Sequence, residues 1–264
     1  MRYLWLFAVA LPLIGWTQAT PDPSAAYKQV VDKIQPNIVT VRVVIKVEIK
    51  DEEESQSQES KFTLQGAVLN SDGLIMTSGV LLSSESFKQL VGADDDDESI
   101  SITPQSFKVI FGSDTKEYEA KLVAIDSQLG IAFLKITNLE GRTITPIAFA
   151  NEELATGKEL ITVSRLPKGY DYAPYFATGR IIGEVSKPRT AYLMRGSISE
   201  LGLPVYNLKG EAVGVMVVLR HGLKDEEVDF GFRSNFGSDD GAAFVLPVAA
   251  LRPLIEQAMQ RAPM

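Results

Sequence analysis

From residue 39 onward the chain is written with a period of two. Val39, Val41, Val43, Ile45, Val47 and Ile49 alternate with Thr40, Arg42, Lys46, Glu48 and Lys50, and only Val44 breaks the pattern. Successive side chains of a strand point to opposite faces, so this run predicts a long strand with one face buried and one in water. Shorter apolar runs follow at residues 62–69, 74–77, 107–111, 118–125 and 131–136. A second set covers residues 160–164, 176–185, 191–194, 204–207, 212–219 and 242–245. Turn residues separate them, as in the hairpin-type stretch Asn70-Ser71-Asp72-Gly73. Many short strands with Gly and Asn/Asp turns predict a sandwich or barrel rather than an alternating α/β fold.

The period changes only near the two ends. Tyr27, Val30, Val31 and Ile34 fall on one face of a helix, with Ser24 expected as its N-cap. Leu251, Leu254, Ile255, Ala258 and Met259 predict a closing helix over residues 248–260, with Pro253 expected in its first turn. Two segments are poor in apolar residues. Residues 51–60 open on Asp51-Glu52-Glu53-Glu54, and residues 93–99 hold Asp94-Asp95-Asp96-Asp97-Glu98. Like charges repel and stay solvated, so both segments are expected to be loops between strands. The second has neither the spaced carboxylates nor the glycine turn of a calcium loop, so no metal site is expected there.

Composition narrows the setting. The chain has 264 residues, 45% hydrophobic and 23% charged, with a net charge of -8. That balance excludes the basic footprint of a nucleic-acid binder and does not favour an anionic membrane surface. The start of the chain is unlike the rest: Arg2 precedes an apolar run over residues 3–15, and Thr17-Gln18-Ala19 supplies small residues where a signal peptidase cuts. The run is shorter than the ~20 residues a membrane helix needs. Residues 1–19 are therefore expected to be a signal peptide and residues 20–264 a single domain, with no stable membrane insertion after cleavage. There is no cysteine and no Asn-x-Ser/Thr sequon, which suits an exported bacterial protein, periplasmic or extracellular.

Five stretches, in order, carry a resemblance. FTLQGAVLNSDGLIMT (62–77) resembles the pattern GSGVI…DGYILTNxHV. FKVIFG (107–112), YEAKLVAID (118–126) and IAFLKI (131–136) together resemble V.F.DGREYEAKLVGxDPxTDLAVLKI. ATGRIIG (177–183), GLPVYNLKGEAVG (202–214) and AFVLP (243–247) resemble VTSGIVSA, GGPLxNxxGEVIGI and GFAIPV. The chain is thus similar to the trypsin-fold domain of HtrA (Deg)-type serine proteases over nearly all of residues 27–260. The resemblance implies an all-β fold: a trypsin-like double β-barrel with short N- and C-terminal helices and a cleft between the barrels. The chain stops where that family's appended PDZ module would begin, so no PDZ domain is expected.

The same resemblance assigns the catalytic positions, and none holds a catalytic residue. Val80 stands at the histidine position, Gly130 at the aspartate position and Leu201 at the nucleophile position; Ser199 replaces the glycine that helps form the oxyanion hole. Serine proteolysis needs a hydroxyl, a base to deprotonate it and a third group to orient that base. Val80, Gly130 and Leu201 supply none of these. Substitutes are scarce: the sole histidine, His221, lies between Arg220 and Gly222, far along the chain from the matched segments. Ser197 and Ser199 are the type of loop serine that serves turns, and Thr20 would be an N-terminal hydroxyl followed by Pro21. With one histidine and no cysteine, neither a transition-metal site nor a cofactor is expected. The reading is a catalytically degenerate pseudoprotease that binds peptides or proteins, an active protease paralogue among them, in envelope protein quality control. The alternative is an active or residually active endopeptidase with replacement residues, and a third reading is an oligomer subunit without a ligand.

Overall fold

The computed structural model describes residues 23–50, 55–90, 100–187, 189–198, 200–218 and 243–262. It contains two closed barrels of six strands each. The first is built from β1 (Ile38–Lys50), β2 (Ser55–Val68), β3 (Leu74–Ser78), β4 (Ile100–Phe111), β5 (Tyr118–Asp126) and β6 (Ile131–Ile136). The second uses β7 (Glu159–Arg165), β8 (Pro174–Val185), β9 (Ala191–Gly196), β10 (Pro204–Tyr206), β11 (Ala212–Val218) and β12 (Ala243–Pro247). Strand order is β1-β2-β3-β6-β5-β4 in one and β10-β11-β12-β9-β8-β7 in the other, every pairing being antiparallel. The trypsin-like double-barrel fold is therefore present.

The alternation read along β1 sets the first core. Val39, Val41, Val43 and Ile45 are buried together with Val109 and Leu134 inside the first barrel. Leu160, Ile181, Met194, Val205 and Val213 fill the second. A third cluster joins the barrels: Ile38, Leu74, Met76 and Ile131 of the first meet Ile161, Val163, Tyr206 and Val215 of the second. Two helices close this seam, α1 (Pro23–Ile34) through Val30 and Ile34, and α3 (Val248–Arg261) through Leu251, Ile255 and Ala258. Each fully buried aliphatic side chain contributes roughly 1.5–3 kcal/mol, so the seam holds the barrels in one relative position.

Several local expectations are corrected. Residues 55–60 are not a loop: β1 and β2 pair without a register break from Ile38↔Ala67 to Lys50↔Ser55. The ladder satisfies the backbone there, so a polar sequence can remain a strand with water on both faces. β4 likewise starts at Ile100, and Pro104 is accommodated where its pairing with β1 slips a residue between Val44 and Ile45. Helix α1 begins at Pro23, which puts Ser24 inside the first turn rather than at the cap. Pro253 lies in the second turn of α3, not the first. A further helix, α2 (Ser84–Leu90), was not expected. Among the described residues no helix is long and apolar enough to cross a membrane. The signal-peptide assignment and the acidic run 93–99 lie outside the described residues.

Candidate functional site

Strand β3 ends at Ser78, and the two residues that follow are fixed by β6. Gly79 donates its N–H to the Gly130 carbonyl at 2.8 Å. A Cβ on Gly79 would sit 2.8 Å from the carbonyl carbon of Ile131, so no other residue lets the chain pass this close. Val80 is thereby carried against the β5–β6 turn and is 6% exposed.

That turn is held from two sides. Asp126 Oδ1 accepts the Leu129 N–H at 3.0 Å. Ser127 Oγ donates to Glu85 of α2 at 2.6 Å, and the Ser86 hydroxyl donates to the Ser127 carbonyl at 3.3 Å. The turn closes with Gly130 at φ 64°, in the left-handed region. A Cβ built on Gly130 would lie 2.8 Å from Val80 Cγ2. The expected histidine and aspartate positions are therefore neighbours, and a valine methyl fills the space where a side chain at 130 would start.

The third position arrives from the second barrel. Gly202, at φ 78°, presses on the end of β3: a Cβ there would lie 2.3 Å from the Ser78 nitrogen and 2.5 Å from the Thr77 carbonyl carbon. Its N–H donates to Met216 of β11 at 2.8 Å, and Met216 N–H donates to Leu203 at 3.0 Å. Leu201 thus stands one residue from the strand end that carries Val80 two residues further on. Its side chain is half-buried and packs on the second-barrel core.

Glu200 is tied down as well. The Tyr175 hydroxyl donates to Glu200 Oε1 at 2.5 Å. Burial, and after it the Glu200 carboxylate, push the Tyr175 phenol above its ordinary range. Ser197 donates its hydroxyl to the Thr178 carbonyl at 3.2 Å, the local role expected of it. Ser199 and His221 lie outside the described residues.

Two supports were invisible to sequence reasoning. One is the Tyr175–Glu200 bond, which joins β8 to the loop before Leu201. The other is Arg165 at the end of β7, 8% exposed, whose guanidinium donates to three main-chain carbonyls: Gln35 at 2.5 Å, Ile38 at 2.7 Å and Tyr172 at 3.1 Å. Burial lowers its affinity for the proton. It braces the second barrel to the segment entering β1, and nothing in the local sequence marks it out.

An open cavity of about 400 Å³ lies elsewhere, between residues 150–153 and the start of α3, and none of Val80, Gly130 and Leu201 lines it. Among the described residues no group of three or more His, Cys, Asp or Glu is placed to hold a metal ion.

Solved structures of the same architecture include the Rv3671c protease of M. tuberculosis in its active form, 19% identical with a TM-score of 0.53, covering 100% of this chain and 97% of that one. Its inactive form is 20% identical with a TM-score of 0.52, covering 93% of this chain and 98% of that one. Deg5 is 16% identical with a TM-score of 0.55, covering 92% and 99%. No curated protein sequence matches the chain. The family model for the trypsin-like peptidase domain matches residues 65–215, more than half of the chain, running from β2 to β11. The chain belongs to the trypsin-like peptidase domain family.

Proposed function

We propose that this is an exported trypsin-fold protein that has lost proteolysis and binds extended peptides or protein partners in its inter-barrel cleft. The observation that carries the reading is the contact between Val80 and Gly130. In a working protease that space holds a base and the acid that orients it; here it holds a buried methyl group against a glycine. The nucleophile position, Leu201, is apolar and packs on the barrel core. No proton can be taken, held or relayed by these three side chains. The loop before Leu201 also departs from the family, with Glu200 bound to Tyr175.

A trypsin-fold cleft takes peptides as an added strand, through main-chain hydrogen bonds that do not depend on the catalytic residues. Both barrels are closed and the seam between them is packed, so the scaffold for such binding is in place. Partners of this class include unfolded envelope proteins and an active protease paralogue.

The competing reading is an active endopeptidase, and membership of a peptidase family favours it. It requires a base, and His221 is the one histidine in the chain. The test is incubation of purified protein with casein and with a peptide library, read by mass spectrometry, beside the His221→Ala variant. The proposal expects no new termini above the buffer control. Cleavage that disappears in His221→Ala establishes the endopeptidase instead.

A further inference from the structure

β2 is longer than the strand that should cover its far side. β1 pairs with it along its length, but β3 pairs with it only at Gly66, Ala67 and Val68. Among the described residues no strand lies against residues 55–65 on that side. The direction of the open main-chain groups follows from two bonds to β3 and its turn. Leu69 N–H donates to Leu74 at 2.8 Å, and the Thr77 hydroxyl donates to the Gln65 carbonyl at 2.7 Å. Counting back by twos along a strand, Thr63, Lys61, Glu59 and Ser57 direct their N–H and C=O groups to the same side, beyond the end of β3.

The side chains sort by the same parity. Phe62 and Leu64 pack against the first-barrel core, whereas Glu59, Lys61 and Thr63 are exposed. This edge has no proline and no bulge, the devices that normally blunt an edge. A lysine on an edge usually repels a partner strand. Here Glu59 stands two residues from Lys61, which reverses that effect for one particular partner.

We infer that the β2 edge is a self-recognition surface, on which a second copy of this chain pairs antiparallel about a two-fold axis at Ser60. In that register Glu59 faces Lys61 of the second copy, and Lys61 faces its Glu59. Ser57 faces Thr63 in the same way, so the open N–H and C=O groups of Ser57, Glu59, Lys61 and Thr63 each meet an open partner. Gln58 of one copy lies over the exposed part of Phe62 of the other. A two-fold axis at Glu59 or at Lys61 also matches the main-chain groups, but it sets like charges face to face. Among the registers that match the main-chain groups, only the axis at Ser60 sets Glu59 against Lys61, so the charges favour it, and the closed two-fold contact stops at a dimer. The first barrels of the two copies then share one continuous sheet.

The test uses purified protein in two arms. Sedimentation from about 1 µM to about 500 µM covers the range in which a small interface associates. A monomer–dimer equilibrium is expected, with Kd raised roughly ten-fold or more by Lys61→Glu or by Glu59→Lys alone and restored when both changes are combined. The second arm exploits the absence of cysteine. Facing Cα atoms in a non-hydrogen-bonded pair are about 4.5 Å apart, within disulfide range. Ser60→Cys should therefore cross-link to itself under mild oxidation, while Gln58→Cys, four residues out of register with its own copy, should not. A wild-type chain that stays monomeric throughout, a dimer indifferent to the charge reversals, or equal cross-linking at both positions overturns the inference.

Discussion

The closeness of Val80 and Gly130 is a measurable quantity, and a double-mutant cycle reads it. Replacing Gly130 by alanine imposes two penalties. The left-handed backbone at φ 64° disfavours a Cβ by about 1–2 kcal/mol. The new carbon also lies 2.8 Å from Val80 Cγ2, in a site only 6% exposed, where crowding adds about 1–3 kcal/mol. Val80→Ala by itself removes buried methyls and lowers stability by roughly 1–3 kcal/mol. Once it has done so, Gly130→Ala meets no clash and retains only its backbone penalty. The two changes should therefore couple by about 1–3 kcal/mol, the double variant being more stable than the sum of the singles implies. Urea unfolding of the four proteins, read as midpoints at constant slope, gives the coupling directly. Additivity within about 0.5 kcal/mol would mean the two positions do not touch, and the assignment of a vanished His–Asp pair would fall with it.

Four further outcomes are expected. Rebuilding the side chains with Val80→His, Gly130→Asp and Leu201→Ser should give little casein cleavage. Adding Ser199→Gly and Glu200→Asn should matter as much as the nucleophile, because a triad works only beside preorganised oxyanion donors; strong cleavage by the triple variant would show an intact oxyanion loop. Arg165→Met should cost about 2 kcal/mol or more in urea unfolding, since the buried Ile38 and Tyr172 carbonyls lose a donor at about 1–3 kcal/mol for each unpaired group, and a loss below 1 kcal/mol would deny its bracing role. Gly202→Ala should destabilise more than Gly130→Ala in the same assay, because its Cβ meets backbone atoms of Thr77 and Ser78 rather than a side chain. Hydrogen bonds from Lys158 and then Asn207 hold the Glu152 carboxyl below its ordinary range. Its contribution is thus present above the usual glutamate pKa, about 4.3, and lost as pH falls through the lowered value; Glu152→Gln should flatten that acid limb of the stability profile.

The sequence announced the barrels wherever one face of a strand is buried and the other wet. The alternation along β1 is the clearest case, because burial of Val39, Val41 and Val43 imposes the period of two. It concealed structure wherever burial does not shape composition. Residues 55–60 are polar on both faces and are strand only because β1 extends beside them, a long-range pairing that no local pattern reveals. Helix α2 is seven residues long and is held by side-chain bonds to the Ser127 turn and to Ile102, too short for a periodic stripe to be read. At the cleft, the positions of Val80, Gly130 and Leu201 came from a family resemblance, and physical signals in the sequence were limited to glycines at 79, 130 and 202. The Tyr175–Glu200 bond and the Arg165 brace span 25 and 127 residues. Their partners carry no pattern that would link them before the fold is known.

A chain without a serine nucleophile should be silent toward a fluorophosphonate probe. Such a probe forms a covalent adduct only with a serine activated by a base. Intact-mass spectrometry of the native protein after prolonged exposure should show the unmodified mass alone, beside a trypsin control that labels to completion. A stoichiometric adduct that is absent from the Ser199→Ala or His221→Ala variant would contradict the account and restore this chain to the active serine peptidases.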